Sequence, residues 1–174
     1  MAKRTCMETA LAKLNYRMRT VHELTESLKE LGFESEEIEE TIEELKSFGY
    51  LDDLRYGAEF FRSSRKKNWS GNRIMRAMRE KGLDRETIAA VMDEMENSED
   101  LRGTELSMDD RETALKEGLR MARSQEAGGR AIDEKFLGKV GRRLTSLGYD
   151  PGCCYYVIGK LRDRISESEE EEIY

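Results

Sequence analysis

Apolar residues recur along the chain in three similar blocks, each with two helix-spaced rows on either side of a glycine. The glycines are Gly32 in Leu31-Gly32-Phe33, Gly82 in Lys81-Gly82-Leu83 and Gly148 in Leu147-Gly148-Tyr149. Eight residues before them stand Leu24, Ile74 and Val140; four before stand Leu28, Met78 and Leu144. Six after stand Ile38, Ile88 and Cys154; ten after, Ile42, Met92 and Ile158; thirteen after, Leu45, Met95 and Leu161. Steps of three and four put such residues on one helix face. Each block therefore predicts two amphipathic helices meeting at the glycine, and five matched columns make an internal repeat.

Local signals mark the helix ends. Thr20-Val21-His22-Glu23 reads as a capping box, Ser35, Ser70 and Asp84 as N-caps, and Asp150-Pro151 as a cap followed by a proline in the first turn. The three glycines fit left-handed C-cap positions. A further helix precedes each pair, over about 5–16, 53–67 and 109–124. The expected fold is all-α: three tandem three-helix repeats, about nine helices, over residues 1–50, 51–96 and 109–166. Residues 97–108 are expected to form an irregular connector and 167–174 an acidic tail. Gly138 and Gly141 weaken the expectation of helix around them.

Composition narrows the class. The chain has 174 residues, one proline, 39% charged and 37% hydrophobic residues, which favours helix and small modular cores. No apolar run is long enough to span a membrane, and the basic start runs straight into an amphipathic pattern without a signal-peptide core, so a cytoplasmic protein is expected. Cys6, Cys153 and Cys154 with the single His22 give no metal-ligand spacing, and no cofactor is expected. His22 reads as a surface or capping residue. No glycine loop ends in Lys-Ser or Lys-Thr, and no serine or cysteine has a plausible histidine partner. Binding, not catalysis, is the expected activity.

Charge is segregated beneath a formal net charge of −7. Between Glu34 and Asp53 nine acids face one base, Lys46. Between Arg55 and Arg85 ten bases (Arg55, Arg62, Arg65, Lys66, Lys67, Arg73, Arg76, Arg79, Lys81, Arg85) face Glu59, Glu80 and Asp84. Lys135, Lys139, Arg142 and Arg143 form a weaker basic stretch. Such runs either attract phosphate or acidic protein or are solvated faces paired with neighbouring acids. Trp69 either stacks on a base or partner side chain or closes the corner between helices.

The order Tyr16-Arg17-Met18-Arg19-Thr20, Glu23-Leu24, Leu28 and Leu31-Gly32-Phe33 resembles the opening of RecX, the family of bacterial regulators of the RecA recombinase. Tyr50-Leu51-Asp52-Asp53-Leu54-Arg55-Tyr56, followed by Ala58, Phe61-Arg62, Gly71, Ile74 and Gly82, is similar to that family's signature, with Gly57 where alanine is usual. The resemblance covers residues 6 to 96; in the third repeat it rests on hydrophobic pattern and position. It implies a curved, elongated array of three-helix repeats. It also implies docking in the groove of the RecA–single-stranded DNA filament, restraining filament growth, ATP hydrolysis, strand exchange and co-protease activity in DNA repair and recombination. On this reading Asp52 caps a helix, and Leu51 and Tyr56 anchor a corner. Arg55, Arg62, Arg65, Lys66, Lys67, Arg73, Arg76 and Arg79 face filament protein or DNA phosphate, with Lys139, Arg142 and Arg143 assisting. Net acidity points to recognition mainly through RecA, with single-stranded DNA met indirectly or weakly. A monomer that clamps neighbouring subunits or caps an end would act through several weak contacts at once.

Two rivals make different demands. A helix-turn-helix DNA binder needs a recognition helix able to enter a groove, and Ser35-Glu36-Glu37-Ile38-Glu39-Glu40 is too acidic for that. A generic helical adaptor needs neither DNA nor RecA.

Overall fold

A computed structural model describes residues 4–98 and 108–171, with side chains described up to Ile165. Nine helices and no strand occur among the described residues: α1 (Cys6–Tyr16), α2 (Val21–Lys29), α3 (Ser35–Ser47), α4 (Asp53–Arg65), α5 (Gly71–Glu80), α6 (Arg85–Asn97), α7 (Asp110–Ala127), α8 (Glu134–Ser146) and α9 (Pro151–Glu171). Most of the expected connector, 99–107, and the last three residues of the expected tail lie outside the described residues.

The five apolar columns become core. Leu24, Leu28, Ile38 and Leu45, at most 1% exposed, cluster with Cys6, Ala10, Ile42 and Leu51 among α1, α2 and α3. Val140, Leu144, Cys154 and Leu161 cluster with Phe136, Leu137 and Val157 among α7, α8 and α9. Ile74, Met78, Ile88 and Met95 are buried too, while Met92 and Ile158 are half-buried. Gly32, Gly82 and Gly148 adopt φ of +81°, +83° and +91°, the left-handed conformation that terminates a helix without a Cβ clash.

Several local expectations change. Glu34, not Ser35, is the N-cap of α3, with no side-chain hydrogen bond. Thr20 caps α2 by accepting from Glu23 N, but the Glu23 carboxylate leaves the box for Arg17 and Lys81. A complete capping box instead opens α1, between Thr5 and Glu8. Helix α8 runs through Gly138 and Gly141, because the buried row Phe136, Leu137, Val140 and Leu144 outweighs the glycine propensity cost of roughly 1 kcal/mol each.

The chain forms two compact units: Met1–Phe61 with Met75–Asn97, and Arg62–Ile74 with Ser98–Tyr174. Helices α4 and α5 each contribute to both.

Candidate binding surface

In unit one, Leu51-Asp52-Asp53-Leu54-Arg55-Tyr56 is a structural clamp. Leu51 is 3% exposed and belongs to the α1–α3 core. Asp52 caps α4, accepting from Arg55 N at 2.9 Å. Asp53 accepts from Val21 N at 2.9 Å, filling a free donor in the first turn of α2. Burial pushes the Asp53 carboxyl up, against the Val21 hydrogen bond that lowers it. The Thr20 hydroxyl donates to the Lys81 carbonyl at 2.6 Å, and Lys81 Nζ pairs with Glu23 at 3.1 Å while lying 5.9 Å from the Tyr56 ring centre. Gly82 is needed here for space as well as φ: a Cβ would stand 2.2 Å from His22 Cβ. His22 is exposed and packs at this turn.

In unit two the turn Asn68-Trp69-Ser70-Gly71 is bound to five distant residues. Tyr149 Oη donates to the Asn68 carbonyl at 2.9 Å, and burial drives its phenol well above the ordinary range. Ser70 N and Oγ donate to the carbonyls of Leu147 and Gly148 at 3.0 and 2.7 Å. Gly71 N donates to Asp110 Oδ1 at 3.0 Å. Asn68 Nδ2 donates to Glu117 Oε2 at 2.9 Å. Asn68 itself takes φ +59°, which asparagine tolerates better than most residues. Trp69 is half-buried against the α7–α9 core, with the Arg73 guanidinium 4.0 Å from its ring centre. It closes the corner between helices.

The predicted cations divide into those committed to the fold and those left at the surface. Arg65 was expected to face a partner; the structure corrects this. Its side chain is 1% exposed and donates to Asp110 Oδ1 at 2.7 Å and to the carbonyls of Trp69 and Met108 at 3.0 and 2.9 Å. Arg73 bonds the Ser146 carbonyl as well as covering Trp69. Arg143 pairs at 3.0 Å with Glu117, a carboxylate 1% exposed that also takes two hydrogen bonds from Arg120. Burial pushes the Glu117 carboxyl up, but the hydrogen bonds from Arg120, Arg143 and Asn68 outweigh it and hold the group below its ordinary range. Arg62 is half-buried and engaged. Arg55 is exposed and reaches the Gly49 carbonyl at 3.3 Å. Lys66, Lys67, Lys139 and Arg142 in unit two, and Arg76 and Arg79 in unit one, are exposed with no ion pair among the described residues.

Two family descriptions match this sequence: "RecX, first three-helix domain" over residues 6–45 and "RecX, second three-helix domain" over 52–92. The chain belongs to the RecX family. A "Regulatory protein RecX" of Clostridium perfringens is 29% identical over 159 residues, 90% of this chain and 68% of the relative. Another from Pelodictyon phaeoclathratiforme is 34% identical over 92 residues, 52% of this chain and 58% of the relative. The crystal structure of RecX from Lactobacillus salivarius shares the fold, with a TM-score of 0.66 at 18% identity over 90% of this chain and 94% of that one. RecX is a family of regulatory proteins, and its two matched domains hold α1, α2, α4 and α5 and most of α3 and α6. Among the described residues no helix is long and apolar enough to cross a membrane.

Within the second RecX domain the exposed cations without an ion pair among the described residues include Lys66, Lys67, Arg76 and Arg79. Sequence reasoning did not find Asp110 and Glu117, the acids that hold Arg65 and Arg143. A faint signal existed for Glu117: it follows Ala114 and precedes Gly118 in the small-residue row of α7 that faces the core.

Proposed function

We propose that the chain regulates RecA by docking in the groove of the RecA–single-stranded DNA filament, most directly by restraining it. The observation that carries this reading is the set Lys66, Lys67, Arg76 and Arg79, exposed on the second RecX domain and unpaired by the fold's own acids. A charged side chain left without an internal partner is available to an external one, and charge complementary to a partner raises encounter rates. Lys139 and Arg142 of the third repeat belong to the same class of available cations. Arg55, Arg62 and Arg143 have partial commitments, and Arg65 and Arg73 act by shaping the fold.

A direct reading of duplex DNA is disfavoured by α3, whose Glu36, Glu37, Glu39, Glu40, Glu43 and Glu44 are all exposed. Such a helix repels a phosphate-lined groove.

The test is RecA-dependent ATP hydrolysis on single-stranded DNA, with RecA from the same organism, as this protein is titrated in at physiological salt. Inhibition is expected, and K66E/K67E and R76E/R79E should each raise the half-inhibiting concentration by about tenfold, the scale of a few lost charge contacts. Folded wild-type protein without effect on hydrolysis or filament binding overturns the reading in favour of a helical adaptor.

A further inference from the structure

We propose that a cleft in unit two, between α7 and α8, binds a pair of adjacent phosphate groups, from neighbouring phosphodiesters of a single strand or from a free nucleotide diphosphate. The cleft encloses about 360 Å³ and is lined by Arg120, Arg130, Lys139 and Arg143 together with Ser124. That volume lies within the small-ligand range of about 300–1,000 Å³. Met121 and Phe136 supply an apolar portion of the wall. The cleft lies outside the residues matched by the two RecX domain descriptions, 6–45 and 52–92.

Four cations meet here, and among the described residues the one acid bound to them is Glu117. Its carboxylate is buried and holds two guanidinium groups at once: Arg120 at 2.8 and 3.0 Å, Arg143 at 3.0 Å. One negative charge therefore fixes two positive ones, and the cleft keeps a surplus of about three positive charges. Arg120 and Arg143 remain 62% and 46% exposed. A guanidinium carries five donors, of which Arg120 commits two to Glu117 and Arg143 one. The remaining donors are held in place before any ligand arrives, which lowers the ordering cost of binding. Arg130 and Lys139 are exposed and form no ion pair among the described residues. The flanking acids Glu126 and Glu134 are paired with Arg164 and Arg162 of α9. A surplus of this size suits more than one negative charge, and arginine forks suit phosphate oxygens.

Lys139 also belongs to the cations available to the RecA reading, but that assay varies Lys66, Lys67, Arg76 and Arg79, so failure of one reading is distinguishable from failure of the other. The test follows a fluorescein-labelled dT oligomer by anisotropy and titrates pyrophosphate by calorimetry, on the intact chain at low salt. The variant R130E/K139E leaves the Glu117 cluster intact; K29E/R85E, in unit one, makes the same change in net charge. Circular dichroism checks that both fold. R130E/K139E should weaken binding of the responsive probe by about tenfold or more, and K29E/R85E by less than about twofold. For the oligomer, the slope of log affinity against log salt should fall by about 1.4, since each single-strand contact contributes about 0.7. Saturable pyrophosphate binding that displaces the oligomer identifies the free ligand as source; oligomer binding alone identifies the strand. Equal weakening by both variants, or no saturable binding of either probe by the wild-type chain, overturns the proposal.

Discussion

Arg65 loses nearly all of its solvent on folding, and desolvating a guanidinium is costly unless its donors are filled. Asp110 and two carbonyls accept hydrogen bonds from both terminal nitrogens of the group. Arg65→Ala should therefore lower unfolding stability by about 3 kcal/mol, the lower end of the range for a broken buried pair because Asp110 keeps about a third of its surface. Lys66→Ala should change it by less than about 0.5 kcal/mol; urea unfolding of the two variants makes the comparison. A loss as large for Lys66 as for Arg65 would remove the distinction between committed and available cations. Glu117 gives this scale a pH dependence. A carboxyl whose folded pKa is depressed contributes stability that is complete above its unfolded value, about 4.5, and lost as pH falls through the folded value. Glu117→Gln should lower stability at neutral pH and flatten the decline below about pH 4.5, because the variant has no charge to lose. Thermal unfolding from pH 7 to pH 3 measures both; an unchanged acid slope would show that other carboxyls carry it.

Helices α4 and α6 approach closely at Gly57, where a Cβ would stand 2.6 Å from Val91 Cγ2 and 3.2 Å from Leu83 Cδ2. This explains a departure from the family's usual alanine, since a valine branch occupies the space. Gly57→Ala gains roughly 1 kcal/mol of helix propensity but incurs overpacking of about 1–3 kcal/mol. A modest net loss is expected, and in G57A/V91A the two losses should sum to less than their separate values, as a double-mutant cycle of unfolding free energies would show. Additive losses would mean that α4 and α6 shift apart freely. At this scale the sequence was most informative where structure is periodic. The columns through Leu24, Leu28, Ile38 and Leu45 follow from helix geometry alone, and the glycine at each turn is local chemistry. Ser70 was legible as an N-cap, but the anchoring of the Asn68–Gly71 turn was not, because its partners Leu147, Gly148 and Tyr149 lie about 80 residues away and no period connects them. Arg65 was misjudged for the same reason. Its spacing from Arg62 and Lys66 matches an exposed row, and only the distant Asp110 turns it inward. The α7–α8 cleft was missed because its cations come from two helices and the loop between them.

Across the whole molecule, 37 acids outnumber 30 bases, an unusual balance for a protein whose proposed work involves a DNA-bearing filament. Segregation resolves the tension. The exposed glutamates of α3 repel naked duplex, while unpaired lysines and arginines are confined to other elements. Discrimination between partners is a difference of affinities, and repulsion of the wrong partner contributes to it as much as attraction to the right one. The triple variant E39K/E40K/E43K leaves the apolar face of α3, Ile38, Ile42 and Leu45, untouched. It should bind naked duplex DNA at low salt about tenfold or more tightly than the wild-type chain, with a steeper salt dependence for the added phosphate contacts. Its half-inhibiting concentration in the RecA hydrolysis assay should not fall with the duplex affinity, and excess duplex should now relieve inhibition by competition. Duplex binding measured by anisotropy across a salt series, beside hydrolysis with and without competitor, separates the two effects. If inhibition tightens in step with duplex affinity, phosphate attraction alone governs docking, and the acidic first repeat has no part in choosing the partner.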